Sequence, residues 1–317
     1  MRRSVSPLSL IVFGFGVFLL VLAPMLAWYV EPRAKRTPID TDVTTIFTGP
    51  GSYFDTQAVK ERHDQRLTVT RHVLGDVGDS DRGTAVWDVS TTIDTPRSLP
   101  LKDPRKSLQW TTERWVTDRR TNAPKHCCGE APRAFQGEAY LKFPFDVEKR
   151  SYRWWDSTLK APVVLRYAGT TKIQGYQGYR FTGSVPATEI GTRQVPGRLV
   201  GKPKQGQVHA EEWYSNGRIE LVADQLTGRI INASISPRLA LRAPGGKGGD
   251  KVTLLHGKGL EFTPATQRSQ VGLARDDNDR LELVGRTAPL AAAVTGGVLA
   301  AAGTWLLIRG RVRGARH

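Results

Sequence analysis

Two uncharged apolar runs bracket this chain. The first, PLSLIVFGFGVFLLVLAPMLAWYV, runs from Pro7 to Val30, and the second, APLAAAVTGGVLAAAGTWLLI, from Ala288 to Ile308. About 20 apolar residues in a helix cross the hydrocarbon core of a bilayer, so each run is long enough to span one. Arg2 and Arg3 before the first run resemble the positive end of a signal peptide. That run, however, is longer than a typical signal core, and Ala23-Pro-Met-Leu-Ala27 lacks the small-x-small cleavage pattern. An uncleaved anchor is therefore expected, with Trp28 and Tyr29 closing it as an interfacial aromatic belt would.

The second run leads into RGRVRGARH, where Arg309, Arg311, Arg313 and Arg316 stand without an acid. The positive-inside rule places such a tail in the cytoplasm; Arg33, Lys35 and Arg36 beyond the first run pull the other way. The expected layout is a cytoplasmic N-terminus (1–6), a span (7–30), an exported domain (31–287), a second span (288–308) and a basic cytoplasmic tail (309–317), with the chain held in the cytoplasmic membrane. Gly296-x-x-x-Ala300 and Gly297-x-x-x-Ala301 form small-residue stripes suited to close helix contact, and Gly14 and Gly16 are their candidate receivers. The alternative is that small residues are simply frequent in membrane helices. The only polar side chains in either run are Ser and Thr, which argues against an ion pathway through this pair.

Between the runs the chain reads mainly as antiparallel β, giving an α+β class overall. RLTVTRHVL (66–74) and GTAVWDVSTTI (83–93) are rich in β-branched and aromatic residues and are separated by glycine and aspartate. Asn216-Gly217, between two strand-like stretches, predicts a tight primed hairpin turn, and Gly228 a further reversal. Thr263 followed by Pro264 predicts a helix start. That helix is expected to pass Val271 and Ala274, break near Asp276 to Asp279, and resume towards Leu281 and Val284. EPRAKRTPID (31–40) reads as a charged stem, and APGGKGGDK (243–251) as a flexible loop without the spacing of a phosphate loop.

Four segments occur in order between the apolar runs: TDRRT (117–121), YLKFPFDVEKRSYRWWD (140–156), GYRFTGSVPAT (178–188) and DQLTGRIINA (224–233). In this combination the chain resembles the actinobacterial PorA-like family of envelope proteins over nearly its whole length. The family's tryptophan-valine-glutamate-proline style lead into the Thr-Gly turn is here LVADQLTG. The resemblance implies a membrane-anchored exported domain associated with building the cell envelope, in some members with trafficking of envelope glycolipids or mycolate-type lipids. A porin of the usual kind needs a closed barrel of lipid-facing strands, whereas this chain offers two apolar helices, so a porin-like channel ranks last among the readings.

No serine-hydrolase, zinc-protease or phosphate-loop motif occurs. His63 and His72 are too far apart to share a helix turn. Asp276-Asp277-Asn278-Asp279 opens like a calcium loop but lacks its glycine and distal ligands. Asp146, Glu148 and Asp156 lie in one segment, with nothing in the sequence to show that they converge. No catalysis, cofactor or metal is expected.

The two cysteines, Cys127 and Cys128, are adjacent in APKHCCGEAP. Thiols outside the cytoplasm tend to be oxidised, but adjacent Cα atoms lie ~3.8 Å apart, below the usual disulfide span of ~4.4–6.8 Å. A bond between them closes almost no loop, so its effect would be to lock a local turn rather than to stabilise the domain. Pairing with another chain, a metal site with His126, redox activity and free thiols stay open as alternatives.

Six of the 46 basic residues, and none of the 30 acids, lie outside positions 31–287. The exported domain therefore has 40 basic against 30 acidic residues, a net charge of +10. Beside a bilayer this attracts anionic headgroups or acidic polymers, unless it serves only to solvate the surface; nucleic acid is excluded as a partner on that side. Trp110, Trp115, Trp154, Trp155 and Trp213 are candidates to line an apolar cleft for acyl chains or glycans, with core packing as the alternative. The leading expectation is binding or transfer of membrane lipids or envelope glycolipids. A non-catalytic scaffold contacting envelope-biogenesis membrane proteins through its two spans comes second, and a glycan-acting enzyme third.

Overall fold

The computed structural model describes residues 7–245 and 248–313. Arg2 and Arg3 in the expected N-terminal segment 1–6, Lys247 in the glycine-rich loop and Arg316 in the tail lie outside the described residues. The chain divides into a β unit, Thr37–Ala274, and a helical unit formed by the segments before and after it.

The β unit contains β1 (Asp42–Asp55), β2 (Lys60–Gly75), β3 (Thr84–Asp94), β4 (Gln109–Asp118), β5 (Tyr152–Asp156), β6 (Ala161–Ile173), β7 (Tyr176–Pro196), β8 (Gln207–Ala223), β9 (Ile230–Arg242), β10 (Asp250–Gly257) and β11 (Leu260–Phe262). They form one sheet in the order β4-β3-β2-β1-β10-β9-β8-β7-β6-β5, with β11 pairing to both β1 and β9. Every pairing between these strands is antiparallel. The expected strands at 66–74 and 83–93 fall in β2 and β3, and the α+β class holds. Two meanders, β1 to β4 and β5 to β10, meet where β10 pairs with β1 through Gly257, His256 and Leu255.

The sheet curls, because strands distant in its order share one core. Leu67 and Val69 of β2 pack in a cluster with Leu165 of β6 and Phe181 of β7. The two end strands also meet: Trp115 of β4 and Trp155 of β5 have ring centroids 6.4 Å apart in an edge-to-face arrangement. Phe135 and Tyr140, from the segment joining those strands, stack on Trp115. An aromatic cluster thus closes the curl where pairing between the strands stops. The joining segment hydrogen-bonds to both end strands, Ala131 with Arg114 and Ala139 with Trp155, which caps edges that would otherwise template aggregation.

Asn216-Gly217 does not reverse the chain. Both residues lie inside β8, which pairs with β7 on one side and β9 on the other. The register shifts between Asn216 and Ile219, so the pair is absorbed as a bulge, and neither residue has the positive φ that a primed turn needs. Asn216 is buried, with its Oδ1 accepting the N–H of Ser236 at 2.9 Å. The reversal comes at Gly228, φ 72°, between β8 and β9. A Cβ there would meet the carbonyl oxygen of Pro144 at 2.5 Å, so both the conformation and the space call for glycine.

Helix α3 (Pro264–Glu282) begins as expected: Thr263 Oγ1 caps it by accepting the Thr266 N–H at 3.2 Å. Val271 and Ala274 pack on Val222 and Ile231. The expected break at Asp276 to Asp279 is absent, since the helix runs through those residues. The propensity cost of Asp and Asn, up to about 0.7 kcal/mol each, is too small to interrupt it.

In the helical unit, α1 (Pro7–Met25) passes through a π-helical turn (Leu26–Val30) into the short α2 (Glu31–Ala34), which makes the first part of the expected stem helical. On the other side, a π-helical turn (Leu283–Thr287) precedes α4 (Ala288–Arg313). Helices α1 and α4 pack closely at small residues. A Cβ on Gly16 would sit 2.9 Å from the Ala300 Cα and from the Gly296 oxygen. Gly14 and Gly297 have nothing within 4 Å of that position. The contact therefore uses Gly296-x-x-x-Ala300 with Gly16 and leaves the neighbouring stripe unused. Both helices are long and apolar enough to cross a membrane.

Candidate functional site

The β unit brings a polar cluster together inside its curl from five elements. Arg71 stands on β2, Glu113 on β4, Tyr140 on the joining segment, Asp156 at the end of β5 and Tyr214 on β8. Each strand is locally β-prone, and alternation turns these polar side chains to the face that otherwise carries the core.

The Tyr140 hydroxyl donates to Glu113 Oε2 at 2.8 Å, and the Tyr214 hydroxyl donates to Asp156 Oδ2 at 2.9 Å. Asp156 Oδ1 accepts the backbone N–H groups of Thr158 and Leu159, both at 2.9 Å. Arg71 Nε donates to Thr91 Oγ1 at 3.4 Å, and its positive charge is felt by both Tyr140 and Asp156. Burial raises the Asp156 carboxyl above the usual range, against the opposing pull of the Leu159 N–H, the Tyr214 hydroxyl and Arg71. Burial likewise drives the Tyr140 and Tyr214 phenols upward, with the partner carboxylates adding to the effect. Both tyrosines are neutral donors at any physiological pH. Chemically this is a pair of tyrosine-capped carboxylates beside an arginine, an arrangement suited to locking a polar seam in a low-dielectric interior.

Asp156 is the one member named from the sequence, and its two companions there do not join it. Glu148 pairs with Arg150 at 2.9 Å, while Asp146 lies on the turn that bonds back to Leu226. Arg71, Glu113, Tyr140 and Tyr214 carry no local signal that would have singled them out, because only the curl makes them neighbours.

The five tryptophans do not share one cleft. Trp115 and Trp155 are buried in the closing aromatic cluster, and Trp154 packs against Phe143 and Tyr140. Trp213 lies under the Arg242 guanidinium, 3.9 Å from its ring centroid. Trp110 is 46% exposed on β4. Core burial accounts for two of the five, since large aromatic area is most favourably removed from water where two sheet ends meet.

The cysteine loop lies along the outer edge of β4 and pairs with it. Arg114 and Ala131 exchange backbone hydrogen bonds at 2.8 and 3.0 Å, and the Lys125 N–H reaches the Val116 oxygen at 2.8 Å. Between these anchors Cys127 and Cys128 are bonded to each other and exposed. The Arg114 guanidinium binds the Cys128 carbonyl at 3.0 Å, along with Asp76, Asp79 and Asp88. It thereby holds the Asp76 carboxyl below its usual range. His126 pairs with Glu130 at 3.0 Å. Among the described residues no group of three or more His, Cys, Asp or Glu is placed to hold a metal ion.

A model of the family described as Porin PorA matches residues 8–305. The chain belongs to the Porin PorA family. No curated protein matches it significantly. In this PorA-family chain, the matched region takes in most of both apolar helices and the whole curled sheet.

Proposed function

We propose that this protein is a membrane-anchored envelope protein whose β unit acts as a solid-cored, non-catalytic scaffold at the outer face of the cytoplasmic membrane, with both termini cytoplasmic. The observation that carries this reading is the filled interior of the curl. Phe143, Phe181, Leu165, Tyr152 and Leu67 are at most 1% exposed and pack in one cluster drawn from both meanders, which favours a packed core over an open lumen. On this ground the scaffold is preferred to a lipid carrier. A transmembrane barrel has an apolar outer band and a polar interior; here the interior is mainly an apolar cluster, with the tyrosine-carboxylate seam as its polar part. The non-catalytic role is favoured because both interior carboxylates already accept their own tyrosines. Partners are expected along the helical unit, where Leu10, Ile11, Phe15, Val294 and Val298 are exposed. Within the bilayer they would meet lipid or other membrane proteins.

The family's description favours a second reading, a porin-like channel. One chain supplies two apolar helices, so a pore would have to be assembled from several copies. Purified full-length protein in planar bilayers separates the two readings: the scaffold predicts no conductance above that of the bare bilayer, and discrete conductance steps would replace it with the channel. Photocrosslinkers at Phe15 and Val298 should give discrete adducts with other membrane proteins; adducts with lipid alone would remove the scaffold.

A further inference from the structure

The outward face of β1 to β4 has a composition that neither the core nor the polar seam explains. Direct cross-strand pairs put Thr44, His72, Ser90 and Thr112 in one row. The adjacent row runs from Ile46 through Thr70 and Thr92 to Trp110. The opposite face of the same strands carries Phe47, Val69, Val73, Val89 and Trp115, all buried. With strands ~4.8 Å apart, four adjacent strands make a platform about 15 Å wide.

Trp110 is laid across this platform. Its indole N–H donates at 3.0 Å to Ser90 Oγ, which belongs to the neighbouring row on β3, so the ring lies over the sheet and keeps 46% of its surface in water. The cationic side chains in and next to these two rows already have carboxylate partners. His72 pairs with Asp42 at 2.8 Å, and Arg114 is held by Asp76 at 2.7 Å and by Asp88 at 2.9 Å. What remains is an aromatic face among hydroxyl groups that both donate and accept. That chemistry complements an uncharged, hydroxyl-rich ligand with flat C–H faces. It suits neither an acyl chain, which leaves hydroxyls unpaired, nor an anionic polymer, which needs free cations.

We infer that the outward face of β1 to β4 binds an uncharged polysaccharide, with Trp110 as the platform on which a sugar ring stacks. The weakly positive C–H bonds of the sugar face pack on the negative π face of the indole, while Thr112, Thr92 and Thr70 exchange hydrogen bonds with its hydroxyls. This inference goes beyond the scaffold reading and does not depend on it: conductance and crosslinking decide the scaffold, and glycan retention decides this site.

The test is retention of the detergent-solubilised full-length protein on immobilised neutral polysaccharides (dextran, cellulose, galactan and mannan), with sulfated cellulose as the charged comparison. The expected result is retention on at least one neutral polymer and release by its soluble fragments. Trp110→Ala should weaken retention about tenfold or more without changing the melting temperature, whereas Trp110→Phe should recover part of it. Thr111→Ala, on the opposite face of the same strand, should behave as the parent. Retention on sulfated cellulose alone, no retention on any neutral polymer, or unchanged retention of Trp110→Ala would each overturn the site.

Discussion

Asp156 illustrates what burial does to one residue. Its pKa in the folded state is raised above the unfolded value of about 3.9, so the folded chain binds the proton more tightly than the unfolded chain. Stability therefore falls as pH rises through the interval between the two values and stays lowered above it. Asp156→Asn cannot lose a proton and escapes this fall. Its melting temperature relative to the parent should climb between pH 4 and pH 7, as thermal melts at a series of pH values would show; a constant difference would mean that the carboxyl does not titrate in the fold. Trp115 works through area instead. It is 1% exposed and touches Phe135, Tyr140 and Trp155, so Trp115→Ala should cost about 3–5 kcal/mol in denaturant unfolding of the β unit.

At the scale of elements, neighbours decided what local signals did not. Asn-Gly is a strong turn pair, yet in β8 it is flanked on both sides by strands that continue past it, and breaking both ladders would cost more than one bulge. The acidic run in α3 reads as a break by composition but is tolerated inside a helix whose first half is anchored on Val222 and Ile231. The cap residue did act locally: Thr263→Ala should destabilise α3 by about 1 kcal/mol, visible as faster amide exchange over residues 264–270. For the helix pair, Gly16→Leu should lower the melting temperature of the detergent-solubilised protein, because its side chain meets Gly296 and Ala300, while Gly14→Leu should not. Equal effects of the two would disprove the packing.

At the scale of the molecule, the curl and its aromatic closure make the β unit self-contained, with both sheet ends covered. A truncated chain of residues 37–282 should therefore be soluble and unfold in one cooperative transition; aggregation with loss of β signal would show that the sheet depends on the helical unit. The cysteine pair should contribute little to that transition. Cys127→Ser with Cys128→Ser removes a bond between neighbours, which closes no loop in the unfolded chain. The melting temperature should stay within about 2 °C of the parent, and a larger drop would make the pair part of the global fold.

The sequence by itself determined the two apolar helices, the β class of the middle and the start of α3. Each of these is written in contiguous residues: an unbroken uncharged run, β-branched alternation, and a threonine before a proline. Only the tertiary structure decided that Asn216-Gly217 is a bulge, that two of five tryptophans close the curl while Trp110 lies on the surface, and that Asp156 meets Tyr214 beside Arg71. These outcomes depend on pairings between residues tens of positions apart. Local propensity carries about a kilocalorie per mole at most, less than the strand pairing and aromatic burial that override it.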